Sequence, residues 1–338
     1  MREPTHEQAF QVLLLQAADE GRGPTLFGDS LERAKETVPA FLVGERFPSV
    51  YLEHPLLGDP FLDVTVLLNQ IEPNTRIASP AAGEHAALLD WYSQAHRLHE
   101  DISLGFEIDT KEVTFPLSAV HFQPREHLEL VRPFCEAAGA PHAAERYLAL
   151  AERMPQEWLP SFFGMFRGRP DTPLRVCGYL GHYEKSTCAA NPGHLAAVFD
   201  ATGFTAYDDA MLSQVSALMA KAPGIIDYQL DVYPDGSIGS IFALDVQFAI
   251  ERPEAVQTSF ESGPGAAVMH LLEDWGIADS RWKASVRSAF ARGLPVESGG
   301  TTKPYSLTLM PQWAKARWTS GVLQPAKLYH LASAGILE

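Results

Sequence analysis

Residues 225–250 read IIDYQLDVYPDGSIGSIFALDVQFAI, and the alternation in this stretch decides the fold. Ile226, Tyr228, Leu230 and Val232 alternate with Asp227, Gln229, Asp231 and Tyr233. After Pro234-Asp235-Gly236, a turn-forming triplet, Phe242, Leu244, Val246, Phe248 and Ile250 alternate with Ala243, Asp245, Gln247 and Ala249. A period of two places apolar side chains on one face of a sheet and polar ones on the other. The stretch therefore predicts a β-hairpin with one buried face and one polar face turned to water or to a ligand.

Working outward, the same design recurs. Strand pairs are predicted at 49–53 with 61–69, at 102–109 with 112–122 across Thr110-Lys111, at 161–167 with 174–180, and at 305–310 with 326–332. Helical stretches separate them, including a long one over 82–100 and others near 125–138, 143–154, 194–201 and 206–221. Strands joined by short turns pair antiparallel, so the class is α+β: repeated antiparallel β-hairpins separated by helices. Two arrangements fit. The hairpins close into a ten-stranded barrel of the kind found in aromatic prenyltransferases, or they lie in open sheets with helices on one face. No linker divides the chain. We read a single large domain over 1–338, with a soft division near residue 155.

Composition narrows the function classes. With 46% hydrophobic residues among 338, the chain has material for a large core. A formal net charge of -16 disfavours nucleic acid and anionic membrane surfaces as partners. Three cysteines (Cys135, Cys177 and Cys188) at irregular spacing form no disulfide framework. We expect a reduced, soluble, cytoplasmic protein.

No phosphate-binding loop, zinc-protease motif or nucleophile elbow occurs. His96 and His99 are spaced for one metal, and His182, Cys188 and His194 fall together in a predicted loop, but neither set declares a full ligand sphere. No metal, cofactor or catalytic residue is assigned. The 298–303 stretch SGGTTK reads as a flexible connection. The polar strand faces carry Asp63, Glu107, Asp109, Asp227, Asp231 and Asp245 against Arg167, Arg175 and Lys327. Diphosphate calls for clustered cations, so this excess of carboxylate points instead to a peptide or an amine. Pro311-Gln312-Trp313-Ala314-Lys315-Ala316-Arg317-Trp318 reads as a basic, aromatic loop, with Trp313 and Trp318 as candidate anchors.

Three segments taken together, 158–181, 227–248 and 305–333, resemble a family of accessory proteins encoded beside precursor peptides in ribosomal peptide natural-product clusters, the crocagin pathway among them. The matching pieces are Phe163-Gly164-Met165-Phe166-Arg167, Asp231 with Ile238-Gly239 and Asp245, and Ala326-Lys327-Leu328-Tyr329. The likeness covers about residues 155–335. It implies a protein that binds a precursor peptide and assists the pathway's modifying enzymes; a homodimer is expected separately, only because two-fold dimers are the commonest oligomers of soluble proteins. On that reading Arg167, Arg175 and Lys327 pair with peptide carboxylates, Asp231 and Asp245 accept from donors, and Trp313, Trp318 and Tyr329 line the groove. An enzyme acting on the same peptide (a cyclase, a hydrolase or a barrel prenyltransferase) and a scaffold subunit are the alternatives.

Overall fold

A computed structural model describes residues 6–17, 22–42, 48–68, 82–110, 117–166, 173–298 and 301–336. The elements follow the chain as helices, then a strand pair, repeated. Helices α1 (His6–Ala17), α2 (Arg22–Phe27) and α3 (Ser30–Thr37) precede strands β1 (Ser49–Pro55) and β2 (Asp63–Leu68). Helix α4 (Ala82–His96) leads to β3 (Ser103–Asp109) and β4 (Leu117–Gln123). Helices α5 (Val131–Ala137) and α6 (His142–Arg153) lead to β5 (Phe162–Phe166) and β6 (Leu174–Leu180). Helices α7 (His182–Ala190), α8 (Pro192–Thr202) and α9 (Asp209–Lys221) lead to β7 (Ile226–Val232) and β8 (Ile238–Gln247). Helices α10 (Glu254–Glu261), α11 (Pro264–Asp274) and α12 (Arg281–Arg287) precede β9 (Phe290–Ser298), β10 (Thr301–Thr319), β11 (Val322–Leu323) and β12 (Lys327–Ile336).

Every strand pairing is antiparallel, and the path closes because β8 pairs with β10 while β12 pairs with β1. Ten strands form the barrel, and β9 and β11 flank β10. The closed arrangement replaces the open-sheet alternative. The sheet also runs unbroken across residue 155, since β4 pairs with β5.

The opening stretch folds as its pattern requires. Gly236 sits at φ +82, where a side chain would be strained, and Ser237 N–H donates to Asp235 Oδ1 at 2.9 Å to close the turn. Every residue of β7 is buried, because both faces are covered. Its apolar face lies outside the barrel beneath the helices, and its polar face lies inside.

The hydrophobic core is accordingly a sleeve between barrel wall and helices. Phe122 stacks on Phe134 of α5 at 4.3 Å, and Phe163 packs on Tyr147 of α6 at 4.7 Å. Phe242 meets Phe199 of α8 edge-on at 4.8 Å. The helices are held at their ends by local chemistry: the Asn191 side chain accepts from Gly193 and His194 N–H to start α8, and Asp208 caps α9 through Met211 N–H.

Strand β10 corrects two readings. The 311–318 stretch is strand, not loop. Gln312 is an extra residue, so Pro311 pairs with His330 and Trp313 with Tyr329. This bulge changes parity: Leu307 and Leu309 before it, and Ala314, Ala316 and Trp318 after it, are all buried on the outer face. The 298–303 stretch is likewise no free connection, since Thr301 pairs with Ser298 and Lys303 with Val296. The predicted strand over residues 112–116 lies outside the described residues.

Candidate functional site

Inward-facing residues of the ten strands enclose a cavity of about 690 Å³. Its wall is a belt of paired charges. Lys327 of β12 bonds Glu53 of β1 and lies 3.8 Å from Asp63 of β2. Lys315 of β10 lies 3.5 Å from Asp245 of β8, whose Oδ2 also accepts from Gln229 Nε2 at 2.7 Å. Arg175 of β6 donates to Asp231 of β7 at 3.2 Å, with its guanidinium 4.5 Å from the Phe166 ring centre. His121 of β4 meets Glu107 of β3 at 3.0 Å. Gly164 makes room for that histidine: a Cβ there would stand 2.6 Å from the His121 ring.

Enclosure splits the carboxyls into two kinds. Burial opposes ionisation of Glu53, but Lys327 and Lys315 outweigh it and hold the group below its ordinary range. Burial likewise works against Glu107, and the hydrogen bond and charge of His121 overcome it. Asp63 goes the other way: burial and then the charge of Glu53 push it up to about 8. Burial raises Asp245 to about 6, with Lys315 pulling against it. Asp227 is driven well up by burial and by Asp245 beside it.

Aromatic rings line one side of the chamber. Trp313 stacks on Tyr329 at 5.3 Å and leans on Tyr51 at 4.6 Å. Phe162 and Tyr179 form a second pair at 5.7 Å. Burial lifts the Tyr51 hydroxyl to about 12, so it stays a neutral donor. Towards the end of the barrel where Pro55 pairs with Lys327, the cavity is also lined by Arg33 of α3 and Arg317 of β10. Among the described residues, no carboxylate pairs with either guanidinium. Arg33 donates to Ser30 Oγ at 3.3 Å, and its buried Nε has no hydrogen-bond partner.

Of the residues in the sequence reading, Arg175, Asp245, Trp313, Lys327 and Tyr329 line the chamber, and Asp231 is buried beside it as the partner of Arg175. Arg167 lies outside the described residues. Trp318 is a correction: it faces away from the chamber, fully buried beneath α9, where its Nε1–H donates to Gln214 Oε1 at 2.9 Å. The reading of 311–318 as a loop missed this, because a loop gives no alternation and a strand sends neighbours to opposite faces. Tyr51, Glu53, His121, Tyr179 and Arg33 were missed altogether. Tyr51 and Glu53 share the inward parity of Asp63 and Thr65 through the β1–β2 register, which was their legible signal.

The histidine sets also sort differently. His96 packs on Tyr92, while His99 packs on His127. The predicted loop holding Cys188 and His194 is helical, with Glu184 at its centre. One Glu184 oxygen accepts from Trp158 Nε1 at 2.7 Å and meets His194 Nε2 at 2.8 Å. Among the described residues, no helix is long and apolar enough to cross a membrane.

No protein-family model matches the chain, and neither does any curated protein sequence. Solved structures do match in fold. The 5-dimethylallyltryptophan synthase from Streptomyces coelicolor superposes with a TM-score of 0.55 at 13% identity, over 97% of each chain. The same synthase in complex with DMASPP and Trp gives 0.53 at 13%, over 97% of this chain and 95% of that one. The apo form of the prenyltransferase PriB gives 0.53 at 13%, over 98% and 96%. At such identity the likeness establishes the barrel fold.

Proposed function

We propose that this chain is a barrel transferase that moves a prenyl group from an allylic diphosphate to an aromatic acceptor held in the chamber. The single observation that carries the reading is an aromatic-walled cavity inside the barrel with two guanidinium groups, Arg33 and Arg317, that no carboxylate among the described residues pairs with, in its lining. The shared barrel with prenyltransferases supports it. Arg33 and Arg317 would hold the diphosphate, for which a planar guanidinium is suited. As the allylic carbon–oxygen bond breaks, the faces of Trp313, Tyr51 and Tyr329 would stabilise the carbocation, and the closed wall would keep water from it. The new bond forms to an acceptor ring carbon, the ring proton passes to a chamber carboxylate, and diphosphate leaves. Incubation with dimethylallyl diphosphate and a panel of indoles, phenols and aromatic peptides, read by mass spectrometry, tests this. Gain of one dimethylallyl group supports it, and an unchanged panel with intact diphosphate overturns it.

A second reading is favoured by a specific observation: Arg175, Lys315 and Lys327 are each engaged by a carboxylate. Such a chamber suits a ligand that offers both donors and acceptors, as a precursor peptide does. On this reading the chain binds a ribosomal precursor peptide for partner enzymes, as the crocagin-type resemblance implies. Fluorescence anisotropy with the precursor, followed by its mass, separates the two: tight binding with unchanged mass favours the accessory role.

A further inference from the structure

Asp227 and Asp245 stand directly opposite each other across β7 and β8, both pointing into the chamber. Directly opposed side chains on neighbouring strands lie about 5 Å apart at Cβ, a spacing at which like charges destabilise a sheet. Their partners do not dispose of this repulsion. Gln247 Nε2 donates to Asp227 Oδ1 at 3.3 Å, and Gln229 and Lys315 both approach Asp245 Oδ2. Asp245 Oδ1 has no hydrogen-bond partner, although only 6% of the side chain is exposed. Arg125, at the chamber's edge over the Tyr179 ring, is solvent-exposed and so screened. A buried carboxylate oxygen left open is costly unless something donates to it. The neighbouring walls are aromatic: Tyr51, Trp313, Tyr179 and Phe162. Two carboxylates beside aromatic faces make a site for an ammonium group.

The belt also limits what else such a ligand carries. Arg175, Lys315 and Lys327 are each already paired with a carboxylate, and the two guanidinium groups without one among the described residues, Arg33 and Arg317, lie towards the Pro55–Lys327 end and serve the diphosphate on the transferase reading, so no free buried cation beside the two aspartates is left for a ligand's own carboxylate. We propose that Asp227 and Asp245 form a subsite for a protonated amine, so that the chamber takes a cationic arylalkylamine in preference to a zwitterionic amino acid. This deepens the transferase reading, on which it rests for the ligand's role as acceptor, and binding alone tests it.

The experiment is calorimetric titration of the full chain, without diphosphate, with tryptamine, tryptophan, indole-3-propionate and indole. Tryptamine is expected to bind at least ten-fold more tightly than either carboxylate-bearing analogue. Asp245→Asn should weaken tryptamine at least ten-fold and leave indole unchanged. Equal or tighter binding of tryptophan or indole-3-propionate, no response to Asp245→Asn, or no binding by any of the four overturns the inference. Should the variant fail to fold, the wild-type ranking decides. Prenyl transfer is read separately by mass, so the transferase reading stands or falls without this result.

Discussion

Lys315 of β10 and Lys327 of β12 stand directly opposite one another inside the barrel, and each is held by a carboxylate on a flanking strand. The two ammonium groups tolerate this proximity because Asp245 approaches one from β8 and Glu53 the other from β1. The belt is therefore both the wall of the chamber and the clamp that joins its last strands to its first.

Removing one partner of the clamp should destabilise the closure. Glu53→Gln leaves Lys327 with only Asp63 at 3.8 Å. The Lys327 side chain keeps 29% of its exposure, so the full cost of a stranded buried charge is discounted to about 2 kcal/mol. Urea unfolding should show a lowered midpoint with an unchanged slope. An unchanged midpoint would mean that the pair contributes nothing.

The two tryptophans of β10 should separate stability from binding. Trp318→Ala empties a fully buried site outside the barrel and should cost about 3–5 kcal/mol. Trp313→Ala should cost less and abolish aromatic-ligand binding, since Trp313 faces the chamber against Tyr51 and Tyr329. Thermal melts and ligand titration on both variants read the contrast. Equal effects on both measurements would refute the assignment of faces.

Acid should loosen the seam between β1, β12 and α12. His54 Nδ1–H donates to Pro55 O, its Nε2 accepts from Ser285 Oγ, and its ring stacks on His330 at 5.5 Å. Burial holds His330 at about 4 and His54 well below its ordinary 6.5, the charge of a neighbouring histidine adding to the effect at His54. Both are bases with depressed values, so their stability contribution is complete above about pH 6.5. It is lost as pH falls towards 4, because the unfolded chain binds protons first. His330 alone should account for about 2 kcal/mol between pH 7 and pH 5. His330→Asn should flatten that part of the stability–pH curve, and an unaltered curve would place the sensitivity elsewhere.

The guanidinium groups near the Pro55–Lys327 end should govern the donor. Arg33→Ala and Arg317→Ala are each expected to raise the KM for an allylic diphosphate at least ten-fold with little change in melting temperature, as Arg317 is exposed. Steady-state kinetics at saturating acceptor would show this. An effect confined to kcat would move the diphosphate elsewhere.

The alternation in 225–250 and its echoes by themselves determined the strands, the antiparallel hairpins and the face on which each side chain falls. That is a local property, set by the period of an extended backbone. It therefore located Asp231, Asp245, Arg175 and Lys327 on polar faces without saying what those faces enclose. Pro311 broke the pattern, because a bulge shifts parity by one and reads as a loop; hence Trp318 was put on the wrong side. Only the tertiary structure decided that the polar faces meet. Closure depends on β8 finding β10 and β12 finding β1, pairings between residues such as Val50 and Ala332 that no local pattern records. Closure also turns a solvated face into a buried chamber, and burial is what splits the carboxyls into ionised and protonated groups. Arg33 could not be foreseen at all: it comes from a helix, and only the packing of that helix against the barrel brings it to the cavity.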